Sequence, residues 1–151
     1  MRFAFVVGVC LMSSACGGDG GTDPTTNHQV AGGWSYKTTQ LADGHATTCN
    51  ALSGSAMTVT QQGVRFDGTI TGGTISCLTG SVSWTGGFGS GQVTNGRIIG
   101  DSVTFDIDDG KWRSWGRFVT ADSMAGLLNA IYPGPNGTLI MTGFWNATRT
   151  P

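Results

Sequence analysis

Along most of this chain apolar and polar residues alternate with a period of two. In VRFDGTIT (64–71) Val64, Phe66 and Ile70 share one face, while Arg65, Asp67, Thr69 and Thr71 share the other. SVTFDID (102–108) sets Val103, Phe105 and Ile107 against Thr104, Asp106 and Asp108, and AMTVTQ repeats the pattern with Met57 and Val59. Such alternation predicts strands with one face on a core and one in water. Turn signals separate them: Gln62-Gly63, Gly72-Gly73, Asn95-Gly96, Gly100-Asp101, Asp109-Gly110, Ala121-Asp122 and PGPNG at 133–137. Their short spacing leaves no room for crossover helices, so the sheet must be antiparallel. Strands are expected near 33–40, 55–62, 64–71, 74–83, 92–99, 102–108, 111–119, 123–132 and 138–148. GRIIGDSV (96–103) and GRFVTADSM (116–124) echo one another, as repeated hairpins of a meander would. The fold class is all-β, an antiparallel up-and-down meander closed into a roughly eight-stranded β-barrel, whose closure removes exposed edges.

Composition narrows the setting. The 151 residues include 26 Gly, and only 11% are charged, against about a quarter in typical soluble proteins. Thr, Ser, Asn and Gln supply the polarity instead. The net charge of −1 and the scattered Lys37, Arg65, Arg97, Lys111, Arg113, Arg117 and Arg149 offer no field for nucleic acid. After position 12 no apolar run approaches the roughly 20 residues of a spanning helix.

The opening MRFAFVVGVCLMSSA (1–15) has a positive charge at Arg2, an apolar stretch and then small residues, which is the order of a secretory signal peptide. Cys16 follows directly and is followed by GGDGGTDP. This junction resembles the leader of bacterial lipoproteins, with Ser13 where that family usually carries an aliphatic residue. The resemblance implies lipid on Cys16, a membrane partner through that lipid, and a cell-envelope protein, outer-membrane-anchored and facing the periplasm or the exterior. Ordinary cleavage nearby would instead leave Cys16 as an odd thiol. Residues 16–30 read as a flexible tether in which His28 is solvated, and 31–151 as the barrel domain. With Cys10 discarded in the leader and Cys16 lipidated, Cys49 and Cys77 remain as an even pair, for which a disulfide is the default in an oxidising compartment.

The first strand opens GGWSY, with Trp34, and the last ends GFWNATR, with Arg149. A Gly-x-Trp at the start and an Arg at the end resemble the signature of the calycin barrels, the lipocalins and avidins. In that resemblance Trp34 closes one end and Arg149 packs on it; otherwise Gly-x-Trp is only a strand start with a packed Trp. Alternation from Trp34 points Tyr36, Phe66, Phe105, Trp112, Phe118, Met141 and Trp145 inward and Trp115 outward, beside Arg113 and Arg117. Tyr36, Phe66, Phe105, Trp112, Met141 and Trp145 are therefore candidates to contact a small apolar or amphipathic ligand in the barrel mouth. An eight-stranded barrel is equally able to pack solid, which would leave a structural or protein-interaction module working from its outer face or from the SWTGGFGSG loop (83–91).

Catalysis has little to draw on. The acids are nine Asp and no Glu, mostly in turns, and no acid and base are paired. DIDDG (106–110) lacks the alternating ligands and closing Glu of a calcium loop and reads as a hairpin turn. His45 with Cys49 has metal-ligand spacing but no second pair, and GFGSG (87–91) has no helix after it and reads as a loop. The expectation is a monomer without enzyme activity, cofactor or metal. Substitution of Cys16→Ser should move the protein from the membrane to the soluble fraction, as read by fractionation; unchanged membrane association would remove the lipid anchor.

Overall fold

The computed structural model describes residues 28–134 and 137–151; the leader, Cys10, Cys16 and most of the expected tether lie outside them. Ten strands follow: β1 (Gly32–Ala42), β2 (Thr47–Gln62), β3 (Arg65–Thr71), β4 (Thr74–Thr79), β5 (Val82–Gly87), β6 (Ser90–Ile99), β7 (Ser102–Ile107), β8 (Trp112–Thr120), β9 (Ser123–Gly134) and β10 (Gly137–Arg149). Every pairing is antiparallel. The order β1-β10-β9-β8-β7-β6-β3-β2 returns to β1 through the β1–β2 pairing, which closes an eight-stranded up-and-down barrel. The β6–β7 and β8–β9 hairpins, with turns at Gly100-Asp101 and Ala121-Asp122, are the two echoing segments.

The hairpin β4–β5 continues the lines of β3 and β6 beyond the ring. Gly72 N donates to Gly89 O at 2.7 Å and Phe88 N to Gly73 O at 3.1 Å, so the ladder runs on across the breaks. Gly72-Gly73 is thus an offset within one long arm rather than a hairpin turn. The segment 83–91 is not a loop: it is β5 and the start of β6, interrupted only at Phe88-Gly89. Likewise the single strand expected at 74–83 is two, turned at Gly80-Ser81. Asn95-Gly96 is a bulge inside β6, with Asn95 at φ 56° and register shifts against both neighbouring strands. β2 begins at Thr47, eight residues before its expected start. Its bulge at Leu52 (φ 57°) and Gly54 (φ 78°) interrupts the alternation that would have revealed it.

The inner face is filled by Trp34, Tyr36, Met57, Phe66, Ile70, Phe105, Met141 and Trp145, all buried. Trp145 is opposite Gly126, which in turn is opposite Gly116. Without side chains at those two positions the strands approach so closely that a Cβ on Gly126 would lie 2.1 Å from Trp115 O. Trp145 Nε1 then donates to the carbonyls of Leu127 at 3.0 Å and Trp115 at 3.3 Å. Glycine here lets a barrel wall coil tightly around a large ring.

Cys49 of β2 and Cys77 of β4 are directly opposite in register and joined as a disulfide. The bond closes 28 residues of sequence separation and ties the projecting hairpin to the ring. In the chain-entropy account it contributes about 3 to 4 kcal/mol. Replacing both cysteines by serine should lower the unfolding free energy by about 3 kcal/mol in guanidinium titration. Hydrogen exchange should quicken first in β4 and β5, with the ring amides protected as before.

Candidate functional site

At the end of the barrel where β1 begins, the segment 28–31 is docked rather than loose. Val30 is fully buried, its N–H donates to Gln61 Oε1 at 2.7 Å, and its carbonyl accepts from Trp34 Nε1 at 2.7 Å. His28, expected to be solvated, stacks on Phe118 with ring centroids 4.0 Å apart, and its Nε2 lies 2.8 Å from Asp101 Oδ1. Trp34 and Arg149 are partners in the β1–β10 register, and the guanidinium carbon sits 4.4 Å from the centroid of the indole. Arg149 Nη1 donates to Ala31 O at 2.9 Å, Nη2 to Gln29 O, and Nε to Asp122 Oδ1 at 3.0 Å. One side chain therefore joins the first strand, the last strand, the β8–β9 turn and the incoming segment.

The six interior candidates all belong to the buried core, and four of them, Tyr36, Phe66, Phe105 and Trp145, pack against one another. Tyr36, Phe66, Phe105, Trp112, Met141 and Trp145 are each no more than 3% exposed. Phe105 meets Trp145 at 5.2 Å and Tyr36 at 6.0 Å, Tyr36 meets Trp145 at 5.8 Å, and Phe66 meets Phe105 at 6.0 Å. These are the edge-to-face and offset distances of a packed aromatic core. Buried polar groups are likewise bonded within the protein: Thr38 Oγ1 donates to Ala51 O at 2.8 Å, Ser55 Oγ donates to Gly72 O at 2.9 Å, and Ser114 Oγ lies 3.4 Å from Tyr36 Oη.

Open grooves run instead over the outer wall. One of about 420 Å³ is lined by Gln40, Trp115, Leu127, Asn129, Thr142 and Phe144. Trp115 also lines a second groove, with Asn95, Thr104, Asp106 and Arg113. A third lies over Arg65, Asp67, Asn95 and Arg97. On the other side of Gln40 and Ala42 a groove of about 680 Å³ reaches Asn50, Ser76, Leu78 and Trp84. Adjacent grooves share residues, so the depressions form one belt around the wall.

The register explains the belt. Arg65, Arg97, Thr104, Trp115, Leu127 and Phe144 are successive partners across β3, β6, β7, β8, β9 and β10. The outward placement of Trp115 was legible from alternation; Leu127 and Phe144 were missed, although each adjoins an inward residue, Leu128 and Trp145. Within the belt, Asp106 is buried and accepts from Asn95 Nδ2 at 3.0 Å and Arg113 Nε at 3.2 Å.

Acids elsewhere stabilise turns. The backbone N–H of His45 holds the Asp43 carboxyl below its usual range, with Thr47 adding to the effect. DIDDG ends β7 with Asp106 and Ile107 and enters the β7–β8 turn, with Asp108, Asp109 and Gly110 all at positive φ. Cys49, considered with His45, is held in the disulfide. Among the described residues no three His, Cys, Asp or Glu side chains gather as a metal site.

Compared with known proteins, the chain matches no family, no curated protein and no solved structure. Arg149→Lys keeps the charge but loses the planar fork and its stacking. It should lower stability by about 2 kcal/mol in guanidinium titration, through the cation–π contact and the lost charge-assisted bonds.

Proposed function

We propose that this chain is a cell-envelope binding module, held to a membrane by lipid on Cys16, whose working surface is the outer wall of a solidly packed barrel. The observation that carries this reading is the interior. Tyr36, Phe105 and Trp145 occupy the volume in which a barrel of this size would hold a small ligand, and they contact one another in the described arrangement. An apolar guest would have to displace close-packed rings, at the cost of strain throughout the core.

The wall has the opposite character. Trp115 is 37% exposed and Phe144 is 51% exposed, side by side with Leu127. Exposed apolar rows rimmed by polar groups mark interaction surfaces more often than scattered single residues do. The Arg149–Trp34 stack supports the likeness to calycin barrels in architecture, with the mouth replaced as binding site by the wall. The leader pattern before Cys16 supports display at the cell envelope, on the outer membrane facing the periplasm or the exterior.

Native mass spectrometry of full-length protein extracted from its host membrane in mild detergent tests the reading. The expected species is the polypeptide with its N-terminal lipid and no second small molecule. A stoichiometric adduct that disappears on denaturation, and on enlarging Ala147 to Phe in the interior, would restore the ligand-carrier reading.

A further inference from the structure

The proposed working surface combines features that point to one kind of partner. Arg65 and Arg97 are direct cross-strand partners, both outward and exposed. Like charges directly opposite one another in a sheet are destabilising, and among the described residues neither guanidinium makes an ion pair. Such a pair is relieved by an anion seated between them. Arg113 adds a third guanidinium to the belt; its side chain stays 70% exposed while its Nε is fixed on Asp106. Of the other described acids, Asp43, Asp101, Asp108, Asp109 and Asp122 are at the barrel ends, while Asp67 is exposed on β3 and lines the same groove as Arg65 and Arg97. The belt thus sets the guanidiniums of Arg65, Arg97 and Arg113 against the carboxylates of Asp67 and Asp106, a local excess of one positive charge on a chain whose net charge is −1.

Next to this cationic stretch stand Trp115 and Phe144, and the adjoining row is Asn129 opposite Thr142. Aromatic faces beside neutral amides and hydroxyls suit a sugar ring, whose C–H faces are apolar and whose rim is lined with hydroxyls. The belt is shallow and open, and it crosses six strands at roughly 4.8 Å between neighbours, a length suited to a chain of several rings. We propose that the outer wall binds an acidic polysaccharide, its carboxylates or phosphates at Arg65 and Arg97 and its sugar faces on Trp115 and Phe144. Arginine matches both anions with paired N–H donors. This rests on the outer-wall reading given above.

Affinity electrophoresis of the full-length protein through gels containing polygalacturonate, alginate or a phosphomannan tests it, with dextran and polyaspartate as comparisons. Retardation is expected in at least one acidic polysaccharide and not in dextran. Trp115→Ala and Arg97→Gln should each weaken that retardation about tenfold or more, the loss expected of an anchor residue. Trp115→Ala should leave migration in polyaspartate unchanged, and Arg97→Gln should raise the thermal midpoint by removing the like-charge pair. No retardation in any of the three acidic polysaccharides overturns the proposal. So does retardation in polyaspartate as strong as in the polysaccharides and insensitive to Trp115→Ala, which would reduce the effect to charge alone. If these wall variants abolish cross-linking to an envelope protein while polysaccharide binding is absent, the polysaccharide is overturned but the outer-wall reading stands. A bound small molecule in native mass spectrometry sinks that reading itself.

Discussion

Arg149 lies over the indole of Trp34 and reaches Ala31, Gln29 and Asp122 with its nitrogens. A barrel differs from a meander only in that its first strand pairs with its last, and these residues sit where that seam ends. The guanidinium's planar fork lets it bond two carbonyls and a carboxylate while it stacks on the indole. With the seam held, β1 is paired on both sides along its length, to β10 and to β2. That constraint determines which side chains become interior.

Closure also fixes how much room is left. Eight strands enclose a space that side chains just fill, and here it is taken by a ring cluster centred on Phe105 and Trp145. The cluster fits because the wall thins at Gly116 and Gly126, where two backbones approach and receive the Trp145 N–H on their carbonyls. A large ring and two absent side chains are one design across three strands. The proposed outer-wall function follows from this occupancy: with the interior filled, it assigns binding to outward residues, whose spacing the same strands dictate.

The alternation of apolar residues made most of this visible in the sequence. Phe66, Phe105, Trp112, Phe118, Met141 and Trp145 face inward as the period of two requires, and the Trp34–Arg149 meeting follows from the order of the strands. What was illegible lies at irregularities. Leu52 and Gly54 bulge and hid the first half of β2, and Gly-rich SWTGGFGSG conceals strand because a ladder tolerates glycine that a propensity reading rejects. Asn95-Gly96 carries a turn's letters but sits between two partner strands, where tertiary pairing converts a reversal into a bulge. The belt was only partly legible, through Trp115, because like-charge opposition such as Arg65 with Arg97 exists only once register is known.

The docking of Val30 and the path of β1 give the molecule two poles. The chain reaches the barrel beside Trp34, and β1 carries it to the opposite pole, where the turn after Ala42 meets the β4–β5 tip through Gly80 N to Ala46 O at 3.2 Å. Anything attached ahead of His28 therefore pulls on the clasped, proximal pole. The disulfide-braced hairpin stands at the distal one, with the outer edge of β5, unpaired among the described residues, and the exposed Trp84 leading. The belt lies on the wall between these two poles.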